Sequence, residues 1–370
     1  MKKIHFLVDV DPLTNYLTAP LYFVRHWLRR REYDINFFYT PKTSCFECDI
    51  LLLNSRTVFN LFNENHAIIQ ETSPVIDLLK KIRKYTNKII WMDSTDSTGT
   101  NHFELLPYVN LYLKKQLLKD KFLYQKHFYG NRIFSDFYHQ NFGIIDSNPA
   151  ERSFPLDPSD HHKVDLSWNL GLGDLHNTFS AFYKFRRLLP SVIPVNYKID
   201  FVSPYTPRKN DIFLRVSTDW KRESVVFHRK ELIKILNRFI QKHKGITGSV
   251  QGYLPPKRYL KEINQSKISF GPFGWGEICI REFEAFINGS LLLRTDISCI
   301  RTWPSIFEDK KTCVFYRWDF EDLEEKILFY LENEKLRLEI SENGQHAYKT
   351  IVSTKGMENF CDWFIAQIEK

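Results

Sequence analysis

Short apolar runs of strand length alternate with longer amphipathic stretches along almost the whole chain, and this alternation constrains the fold more than any other feature. Strands that alternate with helices build parallel sheets, because a parallel crossover needs a connection long enough to carry a helix over one face. Two such series are present. The first comprises 4–10, 35–40, 49–54, 88–93, 109–114, 132–135 and 163–168, with helices expected at Leu21 to Arg31 and Ser73 to Tyr85. The second comprises 211–217, 248–252, 267–271, 290–294 and 312–316, with helices expected at 222–244, 256–265, 277–288 and 320–332. Pro190, Pro194, Pro204 and Pro207 between the two series have the helix-breaking density of a linker.

The expected fold is therefore α/β, with two Rossmann-like lobes facing a central cleft. Residues 1–203 are expected to form the first lobe, 204–352 the second, and 353–370 a last helix that packs back on the first lobe. A length of 370 residues is enough for two cores of ordinary size. Sheets of this kind bind ligands beyond the carboxyl ends of their strands, so function is expected in the cleft between them.

Charge narrows the partners without choosing one. The chain has 52 Lys and Arg against 44 Asp and Glu, a formal net charge of +8, which favours anionic ligands such as nucleotides, phosphorylated substrates, lipid head groups or nucleic acid. The densest cluster, Arg29-Arg30-Arg31, follows a helical run and reads as a helix end favoured by the macrodipole. The opening MKKIHFLVDVD reads as a first strand and not a signal peptide, and no run has the length of a membrane span. Six Cys without a secretion signal point to reduced thiols and a cytoplasmic location. Cys45 and Cys48 have no second pair at metal-binding distance and read as ordinary thiols.

The chemistry concentrates in KISFGPFGWGEICIREFEAFINGSLLLRTD, residues 267–296. A strand enters a loop holding Gly271, Gly274 and Gly276, and an amphipathic helix is expected from Glu277. Glycine lets the backbone approach a phosphate, and the first turn of a helix presents oriented N–H groups to an anion. Cys279, Phe283 and Phe286 recur at sheet-facing spacing, while Glu277, Arg281, Glu284 and Asn288 make a polar stripe. That stripe also has the spacing of a solvated ladder of ion pairs. A carboxylate one or two turns into the helix can accept ribose hydroxyls, and Arg281 can reach phosphate oxygens with its planar fork.

This stretch resembles the donor-sugar-nucleotide site of GT-B glycosyltransferases, with a group 1-like second lobe. There, a glycine-rich loop precedes a helix carrying Glu before Ala, then Gly and a short apolar strand, as in Glu284-Ala285-Phe286-Ile287-Asn288-Gly289-Ser290-Leu291-Leu292-Leu293. The resemblance implies that Glu284 holds the nucleotide ribose and places Gly274, Gly276, Glu277 and Arg281 on the donor side. Many retaining members separate two glutamates by seven residues, whereas Glu277 and Glu284 are separated by six, so Glu277 does not simply inherit the sugar-binding role. The pattern is closer to branches with an Arg three before the second Glu, here Arg281. Within DIFLRVSTDWKRES, Arg215, Lys221 and Arg222 match the basic residues that neutralise the donor diphosphate in this family. That role suits a leaving group on which charge accumulates. Cations at a helix start oppose its dipole, a conflict that an anionic ligand would relieve.

In the first lobe, WMDSTDSTGTNHF (residues 91–103) follows a strand and carries Asp93, Asp96 and His102. An inverting transfer needs a group that accepts the proton of the attacking hydroxyl. Asp96 is the first candidate for that base and Asp93 the second. Asp, Ser and Thr are also ordinary turn and cap residues. The loop Trp168-Asn169-Leu170-Gly171-Leu172-Gly173-Asp174 is a weaker candidate for lining the cleft. Asp9-Val10-Asp11 superficially resembles the metal-binding DxD of another glycosyltransferase fold, but its setting at the end of a first strand does not, and no metal is assigned.

The expected activity is metal-independent transfer of a sugar from a nucleotide-diphosphate donor to a hydroxyl of a glycan or lipid-linked acceptor, without a separate cofactor. The location is cytoplasmic or peripheral to the membrane. Three alternatives share the site: a phage-type DNA glucosyltransferase, a non-catalytic nucleotide-sugar or glycan-binding protein, and a nucleotide-sugar epimerase.

Overall fold

The computed structural model describes residues 1–9, 12–62, 72–147, 153–172, 199–250, 252 and 254–370. In the first lobe the strands are β1 (Lys2–Leu7), β2 (Tyr33–Phe38), β3 (Ile50–Asn54), β4 (Lys88–Asp93), β5 (Leu111–Lys114), β6 (Gln116–Leu118) and β7 (Val164–Leu166). Six of them make one sheet in the order β2-β1-β3-β4-β5-β7, and every pair in it is parallel. All five residues of β3 are buried, as a parallel strand covered on both faces requires. The helices of this lobe are α1 (Pro12–Arg30), α2 (Thr43–Phe46), α3 (Ser55–Asn60), α4 (Ser73–Ile82) and α5 (Ile133–Phe142).

The second lobe repeats the architecture. Its strands are β8 (Asn210–Leu214), β9 (Gly248–Val250), β10 (Ser266–Gly271), β11 (Leu291–Thr295), β12 (Ile300–Thr302) and β13 (Val314–Tyr316). Five form a parallel sheet ordered β13-β11-β10-β8-β9. Its helices are α6 (Glu223–Lys242), α7 (Pro256–Asn264), α8 (Ile280–Ile287), α9 (Leu323–Glu332) and α10 (Glu334–Val352). A final helix, α11 (Thr354–Ile368), lies on the first lobe as expected. Its Met357, Phe360, Cys361, Phe364 and Ile368 enter the same core as Ile4, Phe6, Leu21 and Leu28. Lys2 pairs with Glu369 at 2.7 Å, and Arg31 pairs with both Glu358 and Asp362.

Three expectations change. Residues 132–135 are not a strand: Ile133 opens α5, which ends on Gly143 in the left-handed conformation that favours glycine. The glycine-loop helix begins at Ile280 and not Glu277, because Cys279 is the cap and its N–H donates to Glu282 Oε2 at 2.7 Å. Glu277 therefore lies ahead of the helix and outside the polar stripe. Third, β12 was not expected; it pairs antiparallel with β6, Ile300 opposite Leu118 and Thr302 opposite Gln116, and joins the two lobes by backbone hydrogen bonds. Asp11, Gly173, Asp174, Pro190 and Pro194 lie outside the described residues. At the expected boundary, Val202 N–H already donates to Ile287 O of the second lobe at 2.9 Å.

Candidate functional site

Both sheets direct their carboxyl ends to the junction between the lobes, and there the two candidate aspartates part company. Asp93 ends β4 with a fully buried side chain, paired at 2.9 Å with the equally buried Lys114 of β5. It also accepts from Tyr112 Oη at 2.6 Å and from the Thr95 hydroxyl and N–H at 2.6 and 2.8 Å. Burial pushes its carboxyl up, but the Lys114 charge, with His102 and the two hydroxyls, outweighs this and holds it at about 2. Among the described residues every donor Asp93 meets belongs to the first lobe, so its environment is that of a buried ion pair. His102 is likewise buried, packed against the Phe59 ring at 4.4 Å and 3.6 Å from Glu104.

Asp96 is different. Its side chain is 45% exposed, and its partner is Lys115 at 2.6 Å. Its surroundings push the carboxyl up, and the Lys115 charge and hydrogen bond, with Arg56 and Arg132 nearby, bring it net below the usual aspartate value. The carboxylate is thus held ionised, the form in which it can take a proton, and remains reachable from the cleft.

The glycine loop meets Asp96 directly. A Cβ on Gly276 would come within 1.9 Å of the Asp96 carbonyl oxygen, so only glycine allows the two loops to approach this closely. Glu277 next to it is buried and faces the first lobe, accepting from Ser97 Oγ at 3.1 Å, Thr98 Oγ1 at 2.8 Å, Thr98 N–H at 3.1 Å and Gln116 Nε2 at 2.5 Å. These four donors occupy the carboxylate with lobe-to-lobe contacts. Gly276→Ala is expected to push the loops apart and lower the melting temperature; an unchanged melting temperature would mean that the loops do not meet in solution.

Arg229 of α6, which sequence reasoning missed, carries the loop toward the second lobe's own sheet. Its Nε donates to Phe273 O at 3.0 Å and its Nη1 to Ser217 O at 2.8 Å, and its guanidinium stacks over Trp220 at 4.9 Å. Burial lowers it to about 10, still charged at neutral pH. Trp275, between Gly274 and Gly276, has Arg132 at 4.9 Å and Arg222 at 5.0 Å against its ring and stacks with Trp220.

The basic trio around β8 does not converge on one point. Arg222 is buried and donates to Gly130 O at 3.2 Å. The anion at the start of α6 is Asp146 of the first lobe, whose carboxylate accepts from Ser224 N–H at 2.7 Å and Ser224 Oγ at 3.0 Å. That contact caps the helix and relieves the dipole conflict from within the chain. Arg215 pairs with Glu262 at 2.9 Å and also bonds Ser249. Lys221 is exposed.

Beyond the carboxyl ends of β8 and β9 lies an open cavity of about 460 Å³, lined by Arg215, Ser217, Asp219, Gly252, Leu254 and Tyr259. Tyr259 Oη donates to Glu284 Oε2 at 2.6 Å, which links the cavity to the helix of the candidate ribose ligand. Arg229 ties Ser217 of the cavity lining to Phe273 at the start of the glycine loop, and Gly276 in the same loop lies against Asp96. Residues 219–354 match the family model described as glycosyl transferase-like. The second lobe is glycosyl transferase-like in sequence.

The glycosyl transferase-like lobe contains the glycine loop, Arg281 and Glu284, whereas Arg215 precedes the matched segment. No curated protein matches the chain. Among solved structures, an alpha-glucosyltransferase in complex with UDP-glucose and DNA containing an abasic site aligns over 100% of both chains at 11% identity and a TM-score of 0.42. HepE of Anabaena in complex with UDP aligns over 99% of this chain and 100% of its own at 11% identity, TM-score 0.43. TarM aligns over 87% of this chain and 55% of its own at 11% identity, TM-score 0.42. The chain itself carries two Rossmann-like parallel sheets, one in each lobe.

Among the described residues no group of three His, Cys, Asp or Glu is placed to hold a metal ion. The side chain of Asp9 accepts from Asn60 Nδ2 at 3.2 Å. No helix among them is long and apolar enough to cross a membrane.

Proposed function

We propose that this protein transfers a sugar from a nucleotide-diphosphate donor to an acceptor hydroxyl on a glycan or glycolipid. The observation that carries this reading is the 460 Å³ cavity at the carboxyl ends of β8 and β9, with Tyr259 joining it to Glu284 inside the segment that matches the glycosyl transferase-like model. Glu284 accepts a ribose hydroxyl, Arg281 faces the donor's anionic groups, and Asp96 across the junction takes the proton of the acceptor hydroxyl. Arg215 lines the cavity, and Lys221, exposed, follows its Asp219 by two residues. Release of the diphosphate builds charge on phosphate oxygens, which nearby guanidinium groups stabilise without any bond to carbon. No metal is required in this reading.

Thermal-shift screening against UDP-, GDP-, dTDP- and CMP-sugars tests the donor site, because a ligand that binds only the folded protein raises its melting temperature. Glu284→Ala is expected to weaken binding of the stabilising donor by at least about tenfold, the loss of one hydrogen bond to a charged group, with the melting temperature of the free protein nearly kept. Unchanged donor affinity would remove Glu284 from the site. Transfer to an added saccharide then separates a transferase from a binding protein, and product formation without acceptor would identify an epimerase. Strong, salt-sensitive binding to duplex DNA would instead favour a DNA-modifying enzyme, since neutralising phosphates releases counterions.

A further inference from the structure

Tyr259, which lines the cavity, makes a small polar cluster with Glu284 and Arg281. Tyr259 belongs to α7; Arg281 and Glu284 are three residues apart on α8, hence on one face of it. The Tyr259 ring packs edge-on against Phe213 of β8 at 5.3 Å, and its hydroxyl donates to Glu284 Oε2 at 2.6 Å. Burial and the Glu284 charge push that phenol far up, so it remains a donor at every ordinary pH. Oε1 of Glu284 receives no hydrogen bond among the described residues. Arg281 Nε and Nη1 are buried and have no hydrogen-bond partner among them either. The two Arg281 nitrogens, buried in this state, lose free energy unless a ligand completes them.

A carboxylate that rotates freely can satisfy both oxygens with water and discriminates poorly between ligands. One fixed through a single oxygen presents the other as a preorganised acceptor, and a ligand lacking the matching hydroxyl leaves that oxygen desolvated and unpaired. Resting on the reading that Glu284 meets the donor ribose, we propose that Tyr259 makes this site select ribonucleotides over 2′-deoxyribonucleotides by fixing Glu284 through Oε2 and leaving Oε1 for the ribose hydroxyl. Tyr259 is then a positioning residue and specificity determinant; it need not touch the reacting atoms.

The test titrates UDP, GDP and ADP, each beside its 2′-deoxy counterpart, into the full chain by calorimetry. The wild type should prefer the ribo form of the base it accepts by about tenfold or more, the worth of one hydrogen bond to a charged group. In Tyr259→Phe, which keeps the ring against Phe213, the preference should fall toward one by loss of affinity for the ribo form alone. Equal weakening of both forms means that the ring only supports the fold, and an unchanged ratio means that the hydroxyl is idle; either overturns the proposal. p-Aminophenylalanine in place of Tyr259 keeps a donor at the same distance from the backbone and should keep the preference, so its loss there in a folded variant also counts against the proposal and covers the case in which the Phe variant fails to fold. If the wild type shows no preference and Glu284→Ala alters no affinity, the ribose reading fails as well, an outcome distinct from a preference that survives Tyr259→Phe.

Discussion

Asp96→Asn is expected to lower turnover by about two orders of magnitude while leaving donor affinity within a factor of two or so of the parent, following the usual worth of a positioned general base. The substitution is nearly isosteric, and the side chain is 45% exposed and paired with Lys115, so little stability should be lost. Steady-state kinetics with saturating donor and a donor titration measure the two quantities separately. Because Lys115 holds the Asp96 carboxyl below its usual range, the acid side of the pH–rate profile should fall off below the ordinary aspartate pKa. Turnover is supported above that point, where Asp96 is ionised, and is lost as pH drops through it. Normal turnover in the Asn variant would exclude Asp96 as the base and leave a mechanism without a protein base in the first lobe.

The second large effect is on stability and concerns the buried pair made by Asp93, three residues before Asp96. Lys114→Met should destabilise the first lobe by about 3–5 kcal/mol, because it strands the fully buried Asp93 carboxylate without its counter-charge. The Lys114 ammonium also donates to Thr95 Oγ1 at 2.5 Å and to Thr100 O at 2.6 Å, so the loop that carries Asp96 loses two further ties. Urea denaturation compares this variant with Asp96→Asn, and equal midpoints would mean that the pair does not hold the loop. The sign of the pH effect follows from Asp93. Its folded pKa of about 2 lies below the ordinary 3.8, so it contributes stability above the ordinary value, and this is lost as pH falls toward 2. Its share is roughly 2 kcal/mol.

Much of the architecture was legible because it is local. Runs such as Ile50–Asn54 and Leu291–Thr295 are apolar over strand length, and their flanking helices are amphipathic, so both parallel sheets follow from periodicity. Elements set by distant partners were not legible. β12 has three residues with Arg301 exposed, and only its pairing with β6 makes it a strand. Ile133–Phe142 contains β-favouring residues at its start, and the decisive signal was the helix-ending glycine ten residues on, at Gly143. In the site, the glycine loop and Glu284 stood out as a motif. Arg229 and Tyr259 sit in helices of ordinary composition, and nothing local sets them apart. The contrast between Asp93 and Asp96 depends on which neighbours of β5 reach each carboxylate, Lys114 or Lys115, and two adjacent lysines in a sequence do not disclose that they point to different sides of a strand.

The docking of α11 beside α1 has a consequence for how the chain comes to be folded. Phe360 and Phe364 fill the same core as Phe6 and Leu28, so this hydrophobic centre closes only when segments from either side of the second lobe meet. The second lobe is in effect an insertion in the first and can assemble on its own schedule, while the first lobe must wait with an open flank. A chain stalled before Thr354 would therefore present apolar surface to chaperones from the half of the molecule synthesised first.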